Sequence, residues 1–321
     1  MNNLPVQKSP LISVVVPLFN EEEIIDELVE RIFAACQQLG NDFEVVFVND
    51  GSRDKTLDKL IRQSEAHPEI RVVDLLRNFG HMPALSAGLV AAKGAAVVTM
   101  DGDLQDPPEL IPQFVEKWRE GAEVVYGFRS ARNESAKQVF LTNIFYSLFN
   151  RVSETNTPKQ VGTFGLMDRQ VVNSINSMPE RSRFFAGLRA WVGGKQDFVT
   201  YERPDRAHGN SRVGFRGLLR LSRTAFISFS KVPLRYASIF SLTVSFILFI
   251  IGVWAILTKL LTDAAIPGWA TFTTLIGFMG FAQSLVLAIL AEYVAVIFDE
   301  VKQRPLFLVR TEYMKGLELT R

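Results

Sequence analysis

Thiols are nearly absent from this chain. Cys36 is the single cysteine in 321 residues, so no internal disulfide can close and no thiol cluster exists for a soft metal. Histidine is almost as scarce, and His67, His81 and His208 lie too far apart to read as a zinc cluster. No G-x-G-x-x-G follows the first apolar run and no G-x-x-x-x-G-K-S/T occurs, which excludes the two commonest glycine loops for holding phosphates. Net charge is lacking too: the formal value is +1, so nothing global argues for a nucleic-acid partner, and none is expected. The opening MNNLPVQKSP has no apolar core of the signal-peptide kind, and the bulk of the chain is expected in a reducing cytosol. Internal repeats and low-complexity tracts are absent.

What is present begins with short β-branched runs alternating with helical patterns: ISVVVP (12–17), FEVVFV (43–48), IRVVDL (70–75), AVVTM (96–100) and EVVYG (123–127). Several are apolar almost throughout, as strands covered on both faces of a parallel sheet must be. Asn20 with Glu23, and Asp106 with Glu109 behind Pro107, have the spacing of helix-capping boxes. The alternation predicts an open α/β sheet whose ligands collect at the carboxyl ends of its strands. Residues 137–235 read as an extension of the same domain.

Hydrophobic residues make up 48% of the chain, and their distribution is uneven. From Tyr236 to Thr258 and from Ala264 to Ala291 no residue is charged, and each stretch is long enough to cross a bilayer core of about 20 residues. The spans are expected at about 236–258 and 271–293, within a hairpin segment 233–298. A buried soluble hairpin is the alternative, disfavoured because soluble helices of that length keep a polar face. Lys231, Arg235, Lys302, Arg304 and Arg310 flank one end, whereas the connecting loop carries no Lys or Arg beyond Lys259. By the positive-inside rule both ends of the hairpin are cytoplasmic, and so is the tail 299–321. Ahead of the hairpin, Arg203 to Arg235 holds eight basic residues and one acid, Asp205. Within it Arg212, Arg216, Arg220 and Arg223 share one helical face, and Phe215, Leu218, Phe226 and Phe229 another. Amphipathic helices are therefore expected at about 137–150 and 212–230, the second lying in the membrane interface or, failing that, packed on the domain.

Without a glycine loop, phosphate must be held by another device. Asp101-Gly102-Asp103 follows the AVVTM run directly. Two carboxylates one residue apart at a strand end can share a hard divalent cation with a diphosphate, since Mg²⁺ seldom finds a full protein cage. Pro17 to Glu22 after the first run and Asn49-Asp50-Gly51-Ser52 after the second place polar turns at the same rim. Asp50 can accept from a base edge such as uracil N3–H, or can be an ordinary turn aspartate before Gly51.

These residues resemble the family-two inverting glycosyltransferases of the GT-A fold, and within them the polyprenyl-phosphate branch of bactoprenol glucosyltransferases and dolichyl-phosphate mannose synthases. The stretches that carry the resemblance are VPLFNEEE (16–23), VNDGSRDKT (48–56), LRNFGHMPALSAGL (76–89), DGDLQDPPEL (101–110), LMDRQVVN (166–173), ERSRFFAGLRAWVG (180–193) and EYVAVIFDEVKQRPLFLV (292–309). The resemblance implies a cytoplasmic GT-A domain over 1–232, then the hairpin and tail, in the inner membrane. It implies transfer of one sugar, UDP-glucose being the favoured donor, to polyprenyl (undecaprenyl) phosphate with inversion. Pro17, Asn20, Glu21, Asp50 and Arg77 would line the nucleotide. Asp101, Asp103 and Gln105 would hold Mg²⁺ or Mn²⁺. Arg129, Arg132, Arg203, Ser211 and Arg212 would meet diphosphate or acceptor phosphate. Self-association into a homo-oligomer is compatible with this and not specified by it.

One departure stands out. Where many such transferases read G-D-F-R-L-M-D-R, this chain reads Gly162-Thr163-Phe164-Gly165-Leu166-Met167-Asp168-Arg169. Thr163 thus occupies the position often assigned to the catalytic base. A phosphate monoester has a second pKa of about 6 and is already largely a dianion at cytosolic pH, so its attack needs positioning more than deprotonation. Two other readings stay open: a catalytically weak or silent membrane-tethered nucleotide-sugar-binding protein, and a processive polysaccharide synthase, whose usual Q-x-x-R-W element is missing.

Overall fold

A computed structural model describes residues 12–40, 42–129, 161–181, 183–202, 232–261 and 268–319. The predicted amphipathic segments 137–150 and 212–230 lie outside the described residues.

The first half alternates strand and helix as the periodicity predicts: β1 (Ile12–Leu18), α1 (Ile25–Gln37), β2 (Phe43–Asn49), α2 (Thr56–Ala66), β3 (Ile70–Leu75), α3 (His81–Ala91) and β4 (Ala96–Thr99). A 3₁₀ turn (Pro108–Leu110) leads into α4 (Ile111–Arg119), followed by β5 (Val124–Arg129), β6 (Val161–Asp168), α5 (Arg169–Ser177), α6 (Phe185–Val192) and β7 (Gln196–Tyr201). Two long helices, α7 (Val232–Leu261) and α8 (Trp269–Val301), precede β8 (Val309–Met314) and β9 (Leu317–Leu319).

All the described strands join one sheet in the order β7-β5-β6-β4-β1-β2-β3-β8-β9. β4, β1, β2 and β3 run parallel, while β6 pairs antiparallel with both β4 and β5. β1 to β3 are buried along their whole length, which explains why they are mostly apolar, broken only by buried polar residues such as Ser13, Glu44, Arg71 and Asp74. Alternate side chains serve opposite faces: Val14 and Val16 pack with Ile25, Leu28, Leu60 and Phe114 from α1, α2 and α4, and Val15 packs with Leu85, Leu89, Val172 and Leu188 from α3, α5 and α6. At about 1.5–3 kcal/mol per buried aliphatic side chain, these two layers fix which helices cover which face. Cys36 lies inside the first layer, where burial pushes its thiol up to about 12, so it carries no thiolate chemistry.

The chain winds from β1 through β2 to β3, then returns to place β4 on the other side of β1. The connections therefore diverge between β1 and β4, and a crevice opens there at the strands' carboxyl ends.

Neither expected capping box forms. Asn20 takes a left-handed backbone (φ 53°), and α1 begins only at Ile25 with no side-chain cap. Asp106 is fully buried and points into the domain instead of capping a helix, while Glu109 is drawn outward to Arg31 at 2.8 and 3.0 Å. In both cases tertiary partners outcompete the local backbone N–H groups.

Within α8, Leu275–Val301 is long and apolar enough to cross a membrane, and little of it is buried. α7 contributes a shorter apolar stretch, Tyr236–Leu248, and packs along α8. The chain then returns to the sheet. Read from the sequence only as a tail, residues 309–319 pair β8 antiparallel with β3 and add β9 outside it.

Candidate active site

The ends of β1, β2 and β4 converge on a cavity of about 390 Å³, lined by Pro17, Leu18, Phe19, Glu21, Asp50, Asn78, Gly80, His81, Ala84, Asp101, Gly102 and Asp103. Two loops build one wall by lacing together. Asn20 N–H donates to Ser52 Oγ (3.0 Å), Arg53 N–H to Asn20 Oδ1 (2.8 Å), and Glu21 N–H to Thr56 Oγ1 (2.9 Å). This exchange is what holds Asn20 in its left-handed turn.

Asp50 is buried at the end of β2 and accepts Phe79 N–H at 2.7 Å and Gly80 N–H at 2.9 Å. Burial raises its carboxyl pKa, against the lowering pull of those two bonds and of His81 and Arg77. Each carboxylate oxygen can accept twice, so Asp50 organises the 76–80 turn and keeps capacity for a ligand. The turn comes very close: a β-carbon on Gly51 (φ +65°) would lie 2.5 Å from the backbone of Arg77 and Asn78. Gly51→Ala should therefore cost about 2 kcal/mol, combining the left-handed penalty with a backbone clash. Thermal unfolding checks this, with donor affinity falling in parallel.

On the opposite wall, Asp101 Oδ1 accepts from Thr163 Oγ1 at 2.8 Å and lies 3.3 Å from His81 Nε2. Thr163 is itself held through its carbonyl by Thr99 Oγ1 at 2.5 Å. Asp103 Oδ1 accepts Gln105 N–H at 3.2 Å, in a turn where Leu104 adopts φ 59° and buries its side chain. Behind Asp101 lies a buried network. Asp101 N–H donates to Asp106 Oδ2 (3.1 Å), and Tyr201 Oη donates to Asp106 Oδ1 (2.8 Å). Arg129 Nε donates to the same Tyr201 oxygen (3.1 Å), with Nη2 3.7 Å from Asp106. Burial first, then the neighbouring Asp101 charge, push the Asp106 carboxyl up to about 6 in spite of Arg129 and the two hydrogen bonds.

The structure thus brings Pro17, Glu21, Asp50, Asp101 and Asp103 to one cavity, with Asn20 bracing its wall and Thr163 bonded to Asp101. Gln105 sits in the Asp103 turn. Arg77 is on the exposed rim, stacked 4.0 Å over the Phe79 ring. Arg129 is directed to Asp106 and Tyr201. Arg132, Arg203, Ser211 and Arg212 lie outside the described residues. Sequence reasoning gave no site role to His81, Asn78, Asp106 or Tyr201. The first three fall inside stretches singled out for their resemblance, but nothing local marks Tyr201, which meets Asp106 from 95 residues away. At Gly165, where the related motif is basic, a β-carbon would collide with Val125 O and approach Arg189 Nη1 to 3.2 Å, so the buried Arg189 fills that space from α6.

Among the described residues no group of three His, Cys, Asp or Glu side chains could hold a metal unaided. Asp101, Asp103 and Gln105 instead offer an all-oxygen, incomplete set, which suits a hard ion completed by a ligand's phosphates.

The Glycosyl transferase family 2 pattern matches residues 13–175, spanning β1 through α5 and both cavity walls. The chain belongs to this family. Its relatives match almost end to end: an uncharacterized glycosyltransferase of Synechocystis sp. is 40% identical over 93% of this chain and 94% of its own length. A prophage bactoprenol glucosyl transferase homolog of Escherichia coli is 38% identical over 93% and 98%, and the bactoprenol glucosyl transferase of Shigella phage SfV is 38% identical over 95% and 99%. Among solved structures, glucosyl-3-phosphoglycerate synthase from Mycobacterium tuberculosis with Mn²⁺, UDP and glucosyl-3-phosphoglycerate aligns over 68% of this chain and 78% of that one, at 23% identity and TM-score 0.47. The family-two glycosyltransferase thus has a GT-A-like mixed α/β sheet, and it is an enzyme of sugar transfer.

Proposed function

We propose that this family-two enzyme transfers a single sugar from a nucleoside-diphosphate donor, UDP-glucose being favoured, to a polyprenyl phosphate at the cytoplasmic membrane face. The observation that carries the reading is the meeting of Asp50, Asp101 and Asp103 around one cavity, in a chain whose bactoprenol glucosyl transferase relatives match it over 93–95% of its length.

Asp50 takes the base edge, and Pro17, Asn20 and Glu21 shape the wall beside it. Asp101, Asp103 and Gln105 hold Mg²⁺ or Mn²⁺. When bound, the ion supplies Lewis-acid neutralisation of charge on the departing nucleoside diphosphate. Thr163, with no basic group to offer at neutral pH, orients Asp101. The acceptor phosphate needs no base because it arrives largely ionised. Arg132, Arg203, Ser211 and Arg212 screen its repulsion from the donor diphosphate. Arg129 acts through Asp106 and Tyr201. Attack on the anomeric carbon proceeds in line through an oxocarbenium-like state, inverting that centre. α7 and α8 cross the bilayer as a hairpin with both ends cytoplasmic, confining the site to the plane of the acceptor phosphate and raising its effective concentration.

The test is incubation of purified protein with undecaprenyl phosphate, Mg²⁺ and separate UDP- and GDP-sugars, with lipid products read by mass spectrometry. A hexosyl phospholipid from a UDP-sugar is the expected product. Tight donor binding without any product would instead favour the silent binding protein that Thr163 and Gly165 suggest. Replacing Arg203 and Arg212 together with Ala should raise the acceptor KM about tenfold and leave the donor KM within twofold. An unchanged acceptor KM removes that loop from the phosphate role.

A further inference from the structure

We propose that the C-terminal strand β8 is a positioning element of the donor pocket, in which Arg310 clamps the Leu76–Gly80 turn that holds Asp50. The inference rests on reading the cavity as the donor site.

The clamp starts from a register fault. β8 pairs with β3 as Arg71↔Met314, Val72↔Tyr313, Val73↔Glu312 and Asp74↔Thr311, then slips, so that Leu75 faces Val309. Arg310 is the unmatched residue. A bulge of this kind re-aims one side chain, and here it directs the guanidinium toward the end of β3. Arg310 Nη2 donates to Leu76 O at 2.9 Å, and Leu76 N–H donates to Leu308 O at 2.9 Å, so the tail grips both backbone groups of the turn's first residue. Three and four residues on, the same turn supplies the Phe79 and Gly80 N–H groups to Asp50. A second route runs through side chains. Arg310 Nε lies 3.7 Å from Asp74 Oδ2, and Asp74 Oδ1 accepts from Asn49 Nδ2 at 2.7 Å, directly before Asp50.

The other end of the tail is fixed as well. Arg181 N–H donates to Glu300 at the end of α8 (2.8 Å), and Arg181 Nη2 to Pro305 O (3.3 Å). The last long helix is thereby joined to the donor wall by a short, pinned segment. Leu76 and Arg310 are 234 residues apart, so the wall is complete only after the helices are placed. Arg310 does not line the cavity and its side chain is 59% exposed, so its loss spares the hydrophobic core.

The experiment compares full-length wild type, Arg310→Ala and Arg310→Lys by two readouts. Amide hydrogen exchange at Leu76, Phe79 and Gly80 should rise about tenfold in Arg310→Ala while β1 amides are unchanged. The KM for UDP-glucose should rise about fivefold, with kcat and the KM for undecaprenyl phosphate within twofold, and Lys should restore part of the loss. Unchanged exchange overturns the clamp. Faster exchange with an unchanged donor KM overturns its role in donor binding, while the donor reading itself stands. A wild-type chain that binds no nucleoside diphosphate defeats the donor reading, and with it the positioning role.

Discussion

Exchanging Asp103 for Asn should slow sugar transfer by about 10³-fold and leave the fold intact. The turn survives because the substituted amide still offers its oxygen to the Gln105 N–H, and the position is only partly buried. What disappears is one of the two charges that make the Asp101–Asp103 pair attractive to a hard cation. An amide oxygen is a weaker ligand than a carboxylate for such an ion, and Lewis-acid stabilisation of a leaving diphosphate is worth several kcal/mol. A 10³-fold loss corresponds to about 4 kcal/mol at the transition state. The check is turnover across a Mg²⁺ titration, with circular dichroism and thermal unfolding as controls for folding. Wild type in excess EDTA should fall to a similar level. Full turnover by Asp103→Asn in EDTA would discard the metal assignment.

The strands and their polar ends were legible because two-sided burial leaves an unmistakable mark: ISVVVP and FEVVFV have no polar alternation to confuse the reading. The D-x-D triplet stood out for the same reason, following a buried run directly. Helix starts were less legible. Asn20 and Asp106 both have capping chemistry, yet each is claimed by a partner distant in sequence, Asn20 by Ser52 and Arg53, Asp106 by Tyr201 and Arg129. Spacing records only local competition, so it could not see these claims. Arg129 was harder to read for a related reason. A basic residue at a strand end suggests phosphate contact, and the folded sheet adds a neighbour that spacing could not show, Tyr201 arriving beside it from β7. The tail was the largest omission. Its stretch from Val309 to Leu319 is short, charged and mixed in pattern, and it becomes two strands because β3 presents an open edge to pair with.

The network behind Asp101 leads to the second large effect. Asp106→Ala should lower the free energy of unfolding by about 3 kcal/mol. Removing one partner of a buried ion pair commonly costs about 3–5 kcal/mol, and the lower end applies because the Arg129 side chain keeps 24% exposure and can draw in water. For a domain of this size that corresponds to a fall in Tm of about 6–12 °C. Tyr201→Phe, which removes one hydroxyl and preserves packing against Phe164, should cost only about 1 kcal/mol. The difference separates the charge at Asp106 from the aromatic contact above it. Activity should fall further than stability alone explains, since Asp101 N–H loses the acceptor that fixes the strand end carrying the carboxylate proposed to hold the metal. Thermal unfolding and kcat measured on both variants test the ranking. A Tm for Asp106→Ala within about 2 °C of wild type, well short of the expected fall, would show that the Arg129 charge relaxes into solvent, and that Asp101 is held instead by Thr163 and the sheet.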